Sequence, residues 1–214
     1  MTKIYTIGFS NQSQEQLINA LKHYNITHVI DVRSTPWSKY TPQFNQNAIK
    51  EALADNRIQY IYEGDKLGGR PRPQDQYNQA ANKQEFLQNK GFNSYQDYSR
   101  AFYSYIYPNG IVDYNAWERS RTFKTGISEV LNLANNDNNH IVIACTEKWP
   151  EKCHRTVEIA KVFQQHGCGV KHIMPDGTTY SHDVIENKIK RINHTDSVEE
   201  AYAKQNLKIG WKLG

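Results

Sequence analysis

Cys153, His154 and Arg155 are consecutive in the segment HIVIACTEKWPEKCHRTVEIAKV, residues 140–162. They offer a nucleophile, a proton-transfer group that titrates near neutrality and a cation that never loses its charge. The segment reads as a buried strand over Ile141–Cys145, a polar turn closed by Pro150, and a helix running through Phe163 to Gly167. The first helical turn would then carry Glu151, Lys152, Cys153, His154 and Arg155. In an open α/β sheet, strand carboxyl ends and helix amino ends converge, so a ligand is expected there.

Each residue admits a chemical and a plain structural role. Arg33 and Arg155 present planar forks suited to phosphate or carboxylate, and Arg70 lies in a glycine-rich stretch nearby. Together they point to an anion site; the competing reading is structural ion pairing, Arg33 with Asp31 and Arg155 with Glu151 at i,i+4 spacing. Cys153 beside Lys152, His154 and Arg155 has surroundings that lower a thiol's pKa and make it a nucleophile. Free cysteine also serves as an inert small hydrophobe, and Cys145 on the apolar strand reads as core. The cysteine–five residues–arginine loop of tyrosine phosphatases is absent, since Glu151 stands six positions after Cys145. His154 is the candidate acid/base, with Glu147 and Asp31 orienting it or acting as bases themselves.

A metal site drawn from Cys153, His154, His172 and His182 has poor ligand spacing, with no CxxC or HExxH pattern, so no metal is expected. Gly68-Gly69 is not a dinucleotide fingerprint, and no Walker lysine is present, so no bound cofactor is expected. These glycines instead let backbone approach the cleft.

The elements that must position these groups alternate. Lys3–Ile7 is a short strand stopped by Gly8, followed by a helix with Ser13 and Gln16 in capping-box spacing. Thr27–Val32 is apolar throughout, as a parallel strand covered on both faces should be. Residues 34–46 form a loop, Gln46–Asp55 a helix and Ile58–Tyr62 a third strand. Residues 63–115 read as an irregular and helical insertion, a candidate lid, with residues 83–107 helical in two pieces broken near Gly91. Trp117–Leu133 is a helix, Asn135–Asn139 a loop, Val170–Met174 a fifth strand, and Ser181 or Asp183 caps a helix through Ile192. The expected fold is a single Rossmann-like three-layer α/β domain over residues 1–192, with a mostly parallel sheet of about five strands. Residues 193–214 form a polar C-terminal tail, with a short helix at Val198–Gln205 and no evident role for Trp211.

In that sheet the strand exits share one edge: Gly8 and Ser10, then Asp31, Arg33 and Ser34, then Gly68, Gly69 and Arg70. Cys145 and Glu147 leave the fourth strand, and His182 follows the fifth. One cleft could gather them all.

Bulk properties narrow the setting. No apolar run approaches the ~20 residues of a membrane span, and mean hydropathy is −0.80. Three cysteines make a poor disulfide framework, and the opening MTKIYTIGFS lacks the blocks of a signal peptide, so a cytoplasmic setting is expected. A net charge of +4 permits an anionic partner without requiring one. Tyrosines between residues 95 and 114 could stack on bases or simply cover a helix.

The motifs TIGFS at 6–10, DVRSTPWS at 31–38, Phe44-Asn45, LGGRP at 67–71, CTEKWPEKCHR at 145–155 and HIMPDG with His182 resemble a prokaryotic family catalogued as domain of unknown function 488. The resemblance spans roughly residues 3–185. It implies a compact Rossmann-like α/β domain and no established activity. The expected function is binding of a phosphorylated or other anionic ligand, a nucleotide or nucleic acid included, in the strand-end cleft, with His154 as acid/base if the protein is an enzyme. The alternatives are a non-catalytic nucleic-acid or partner-binding module that uses the Arg- and Tyr-bearing middle segment, and thiol or metal chemistry at Cys153.

Overall fold

Ile141–Cys145 is apolar at every position, and every position is buried. A strand with that composition can be satisfied only between two neighbours and two helical layers. It is the fourth strand, β4, of a sheet in the computed structural model, which describes residues 2–213. The others are β1 (Lys3–Gly8), β2 (His28–Asp31), β3 (Gln59–Tyr62), β5 (Gly169–Ile173) and β6 (Thr179–Ser181). Their order is β3-β2-β4-β1-β5-β6. All pairings are parallel except β5 with β6. The sheet thus has six strands where about five were expected; the three-residue β6 is too short to leave a period-2 signal.

Side chains alternate across the sheet and divide the core in two. Val142 and Ala144 pack with α1 (Gln14–His23) and α2 (Gln46–Asp55) on one face. Ile141, Ile143 and Cys145 pack on the other face with the remaining helical layer. The capping box of α1 is formed: Gln16 N–H donates to Ser13 Oγ, and Ser13 N–H to Gln16 Oε1.

The insertion folds as helices rather than loop. Residues 63–80, expected to be irregular, contain α3 (Gly64–Leu67) and α4 (Pro73–Gln79). The two expected pieces follow as α5 (Lys83–Asn89) and α6 (Tyr95–Ile106), with Gly91 between them at a φ of 78°. The helix expected over Trp117–Leu133 is two, α7 (Tyr114–Arg119) and α8 (Arg121–Ala134). Ser120 divides them because its Oγ accepts from Phe123 N–H and caps α8.

After β4 the chain makes a 3-10 turn at Pro150–Lys152, extends at Cys153, and enters a π-helical stretch, Arg155–Ala160, before α9 (Lys161–Gln165). The regular helix expected from Glu151 onward is therefore interrupted. Cys153 N–H closes the 3-10 turn onto Pro150 O, so Cys153 lies before the helix rather than in its first turn.

The tail is part of the core. After α10 (His182–Ile192), α11 (Val198–Ile209) places Ala201 and Tyr202 in the larger apolar cluster. Trp211 packs against Tyr107, and its carbonyl accepts from Val112 N–H.

A buried polar chain ties this layer to the sheet. Thr6 Oγ1 lies 2.8 Å from His172 Nδ1, His172 Nε2 lies 3.0 Å from His182 Nδ1, and Tyr202 Oη lies 2.9 Å from His182 Nε2. Burial lowers both imidazole pKa values, His172 well below the usual range and His182 to about 4. Unfolded, these histidines bind a proton below a pH of ~6.5; folded, His182 does so only near 4. Between those values the unfolded chain holds more protons, so stability falls as the pH drops through the window. For His182 alone the loss reaches on the order of 3 kcal/mol at the acid end. Imidazole NMR shifts should show both rings neutral at pH 5, and the urea midpoint should fall between pH 7 and pH 5. Titration of both rings near 6.5 would refute the assignment.

Candidate functional site

The chain after β1 turns to α1 on one face of the sheet, whereas the chain after the adjacent β4 turns to α9 on the other. Neighbouring strands whose connections leave to opposite faces open a crevice at their carboxyl ends. A cleft of about 560 Å³ occupies that edge. The exits of β2 and β4 provide Arg33, Ser34, Cys145 and Glu147, and the turn before the π-helical stretch adds Lys152, Cys153 and His154. Gly69, Arg70 and Tyr114 of the insertion, Lys39 of the loop after β2, and Trp211 of the tail complete its walls.

Its floor is a cysteine pair with a histidine. Cys145 Sγ and Cys153 Sγ lie 3.7 and 3.8 Å from His154 Nδ1. On the far side of the ring, Nε2 is 3.2 Å from the Leu67 carbonyl oxygen. A carbonyl only accepts, so Nε2 carries a proton, and Nδ1 is the ring nitrogen that faces the two sulfurs. Tyr114 stacks on the ring with centroids 6.5 Å apart, and a Cβ on Gly69 would come within 2.7 Å of it. His154 is thus fixed in place by close approach. The hydrogen bond that the Cys145 thiol donates to Cys153, together with burial, pushes the Cys145 pKa well up. Burial opposes ionisation of Cys153 too, but the Cys145 hydrogen bond, the Arg155 guanidinium and His154 together hold that thiol well below its usual range.

Arg155 itself does not face the cleft. It is fully buried, and its Nη1 and Nη2 donate to the carbonyls of Glu147 and Lys148 at 2.6 and 3.4 Å. It grips the β4 exit loop from beneath. Gly8 makes this possible from the other side: a Cβ there would sit 2.1 Å from the same Glu147 oxygen.

Asp31 and Arg33 form a buried bidentate pair, with Arg33 Nη2 2.6 Å from Asp31 Oδ2, which also accepts from Tyr60 Oη. The pairing weighed against an anion role for Arg33 is therefore present. Asp31 is committed to Arg33 and Tyr60 rather than to His154, while Arg33 still lines the cleft, its guanidinium 4.4 Å from the centre of the Phe9 ring. Ser34 Oγ accepts from Arg70 N–H at 2.8 Å and pins the glycine turn, where a Cβ on Gly68 would strike it. Glu147 stands at the cleft, its carboxyl pKa raised by partial burial.

Three more expected ligands lie elsewhere. Gly8 and Ser10, the latter at a φ of 52°, line a neighbouring groove with Lys148 and Asp176. His182 is enclosed between His172 and Tyr202, both ring nitrogens engaged, because it opens α10 on the buried side of the sheet. Lys39, Tyr114 and Trp211 were not singled out for this site from sequence, and Cys145, placed at the β4 exit, was read as core. For Cys145 a signal existed: it ends β4 at the edge where the other reactive residues gather.

Residues 13–106 match the family described as Domain of unknown function DUF488, in agreement with the resemblance over a narrower span that ends before Cys145. No curated protein and no solved structure matches the chain. No helix among the described residues is long and apolar enough to cross a membrane.

Arg155→Ala should destabilise the fold by about 3 kcal/mol or more, since it removes charged hydrogen bonds and leaves a buried cavity. Urea unfolding measures this directly; an unchanged midpoint would mean the loop does not depend on the guanidinium.

Proposed function

We propose that this chain, whose residues 13–106 match the domain-of-unknown-function 488 family, binds a small anionic ligand of the phosphorylated class in the strand-end cleft and acts on it at the Cys145–Cys153–His154 floor. The observation that carries this reading is the charge of the walls. Four cations, Arg33, Lys39, Arg70 and Lys152, face the cleft against one carboxylate, Glu147. Arg33 is offset by Asp31, which leaves three cations for a ligand. At such an edge, phosphate-sized anions gain from directed N–H groups and from reduced screening.

A flat ring on the ligand would find partners at the mouth. Trp37 and Tyr40 line the cleft and are 63% and 83% exposed, with the Lys39 ammonium 5.0 Å from the centre of the Tyr40 ring. Large exposed aromatics beside a cation suit a nucleobase, so a nucleotide is the favoured ligand. The insertion supports a separate nucleic-acid module less well. Its aromatic rings, Tyr77, Phe86, Tyr95, Tyr98 and Phe102, pack chiefly on one another. Three cysteines outside any disulfide accord with a reducing, cytoplasmic setting.

Calorimetry with inorganic pyrophosphate and with a nucleoside monophosphate tests this. Lys39→Ala and Arg70→Ala should each weaken binding about tenfold, or ~1.4 kcal/mol, and Trp37→Ala should weaken only the nucleotide. Equal affinity in wild type and in the Lys39→Ala/Arg70→Ala double variant would refute the cleft assignment. Tight, steeply salt-dependent binding to single-stranded nucleic acid alone would favour the module.

A further inference from the structure

We infer that Cys145, Cys153 and His154 are the three protein ligands of a thiophilic divalent cation of the zinc class, whose fourth position faces the cleft. Three observations support this. The first is spacing. Sγ of Cys145, Sγ of Cys153 and Nδ1 of His154 lie within 4.8 Å of one another. A tetrahedral ion with sulfur at ~2.3 Å and nitrogen at ~2.0–2.1 Å separates its S and N ligands by about 3.5 Å. The two S–N distances here are 3.7 and 3.8 Å. A contraction of a few tenths of an ångström would complete the set.

The second is the histidine's orientation. With Nε2–H donating to the Leu67 carbonyl, Nδ1 is the ring nitrogen turned toward both sulfurs, the position from which it would coordinate. A backbone carbonyl on the remote nitrogen is the usual means of orienting a metal-bound histidine. Tyr114 and the close approach of Gly69 keep the ring from rotating away. Apart from the two sulfurs, Nδ1 has no hydrogen-bond partner among the described residues.

The third is charge and softness. Two sulfurs select a zinc-class ion over magnesium or calcium. On binding, every proton still held by the two thiols or by Nδ1 leaves to solvent through the cleft. The resulting set, one dication with two thiolates and a neutral imidazole, has no net charge. It can therefore lie in the buried floor beside Arg155 without a further counter-ion.

The ligands come from two short segments whose separation is fixed. Cys145 ends β4, and Cys153 follows a 3-10 turn whose preceding loop is held by Arg155. The remaining coordination position opens toward Lys39, Arg70 and Lys152. Only this last point rests on the cleft being the anion site: a bound anion or water would take that position and be polarised by the ion.

The test uses the full chain, reduced and stripped of metal by chelation, then titrated with Co²⁺. A near-ultraviolet thiolate-to-cobalt band should appear, saturate at a single equivalent and disappear on addition of Zn²⁺. Zn²⁺ should also protect Cys145 and Cys153, but not Cys168, from alkylation mapped by mass spectrometry; this arm needs no variant. Cys145→Ser and Cys153→Ser should abolish the band, and Cys168→Ser should keep it. Absence of the band in folded wild-type protein, its persistence in Cys145→Ser, or no Zn²⁺ protection would overturn the site. The Lys39→Ala/Arg70→Ala variant separates the two readings. It should lose pyrophosphate binding and retain the band, whereas wild type binding pyrophosphate without a band would sink the metal site alone.

Discussion

One buried guanidinium holds the site together. Arg155 has no exposed surface, and it spends its charge on the carbonyls of Glu147 and Lys148 rather than on a ligand. Those bonds fold the β4 exit loop back over the start of the π-helical stretch, which brings Cys153 and His154 beside Cys145. The positive charge of Arg155 also helps hold the Cys153 pKa below the usual thiol range. The reactive floor therefore depends on the structural arginine.

Around that floor the cleft is assembled from parts distant in sequence. The insertion contributes Gly69, Arg70 and Tyr114, and α11 with its following residues contributes Ile209 and Trp211. The Arg70 guanidinium lies 5.2 Å from the centre of the Trp211 ring, so a wall cation is positioned by the last turn of the chain. Beneath it, the Thr6–His172–His182–Tyr202 chain joins the sheet to α10 and α11 through neutral rings.

The three-layer architecture was legible because its signals are local: continuous apolar strands, the Ser13–Gln16 capping box, and the breaks at Gly91 and Pro150. Departures occurred where a longer-range partner overrode propensity. Ser120 split one expected helix by capping the next. Cys153 left the helix because the Pro150 turn closes on its N–H. Residues 193–213 look polar in sequence, yet Ala201 and Tyr202 are buried because their apolar faces meet α10 and the π-helical stretch only after folding.

The sequence by itself determined that reactive residues collect at one sheet edge, since parallel strands deliver their exits to the same side whatever their order. It could not decide which of them look into the cleft. Arg155 and Arg33 read alike as free forks, but one is spent on backbone carbonyls and the other on Asp31. Cys145 read as core and proved to be half of the cysteine pair at the cleft floor. Residue type and spacing fix chemistry along the chain, whereas the direction of a side chain depends on the segments packed against it. Only the tertiary structure brought Leu67, Gly69, Tyr114 and Cys145 around His154 and so gave its imidazole a fixed orientation and neighbours.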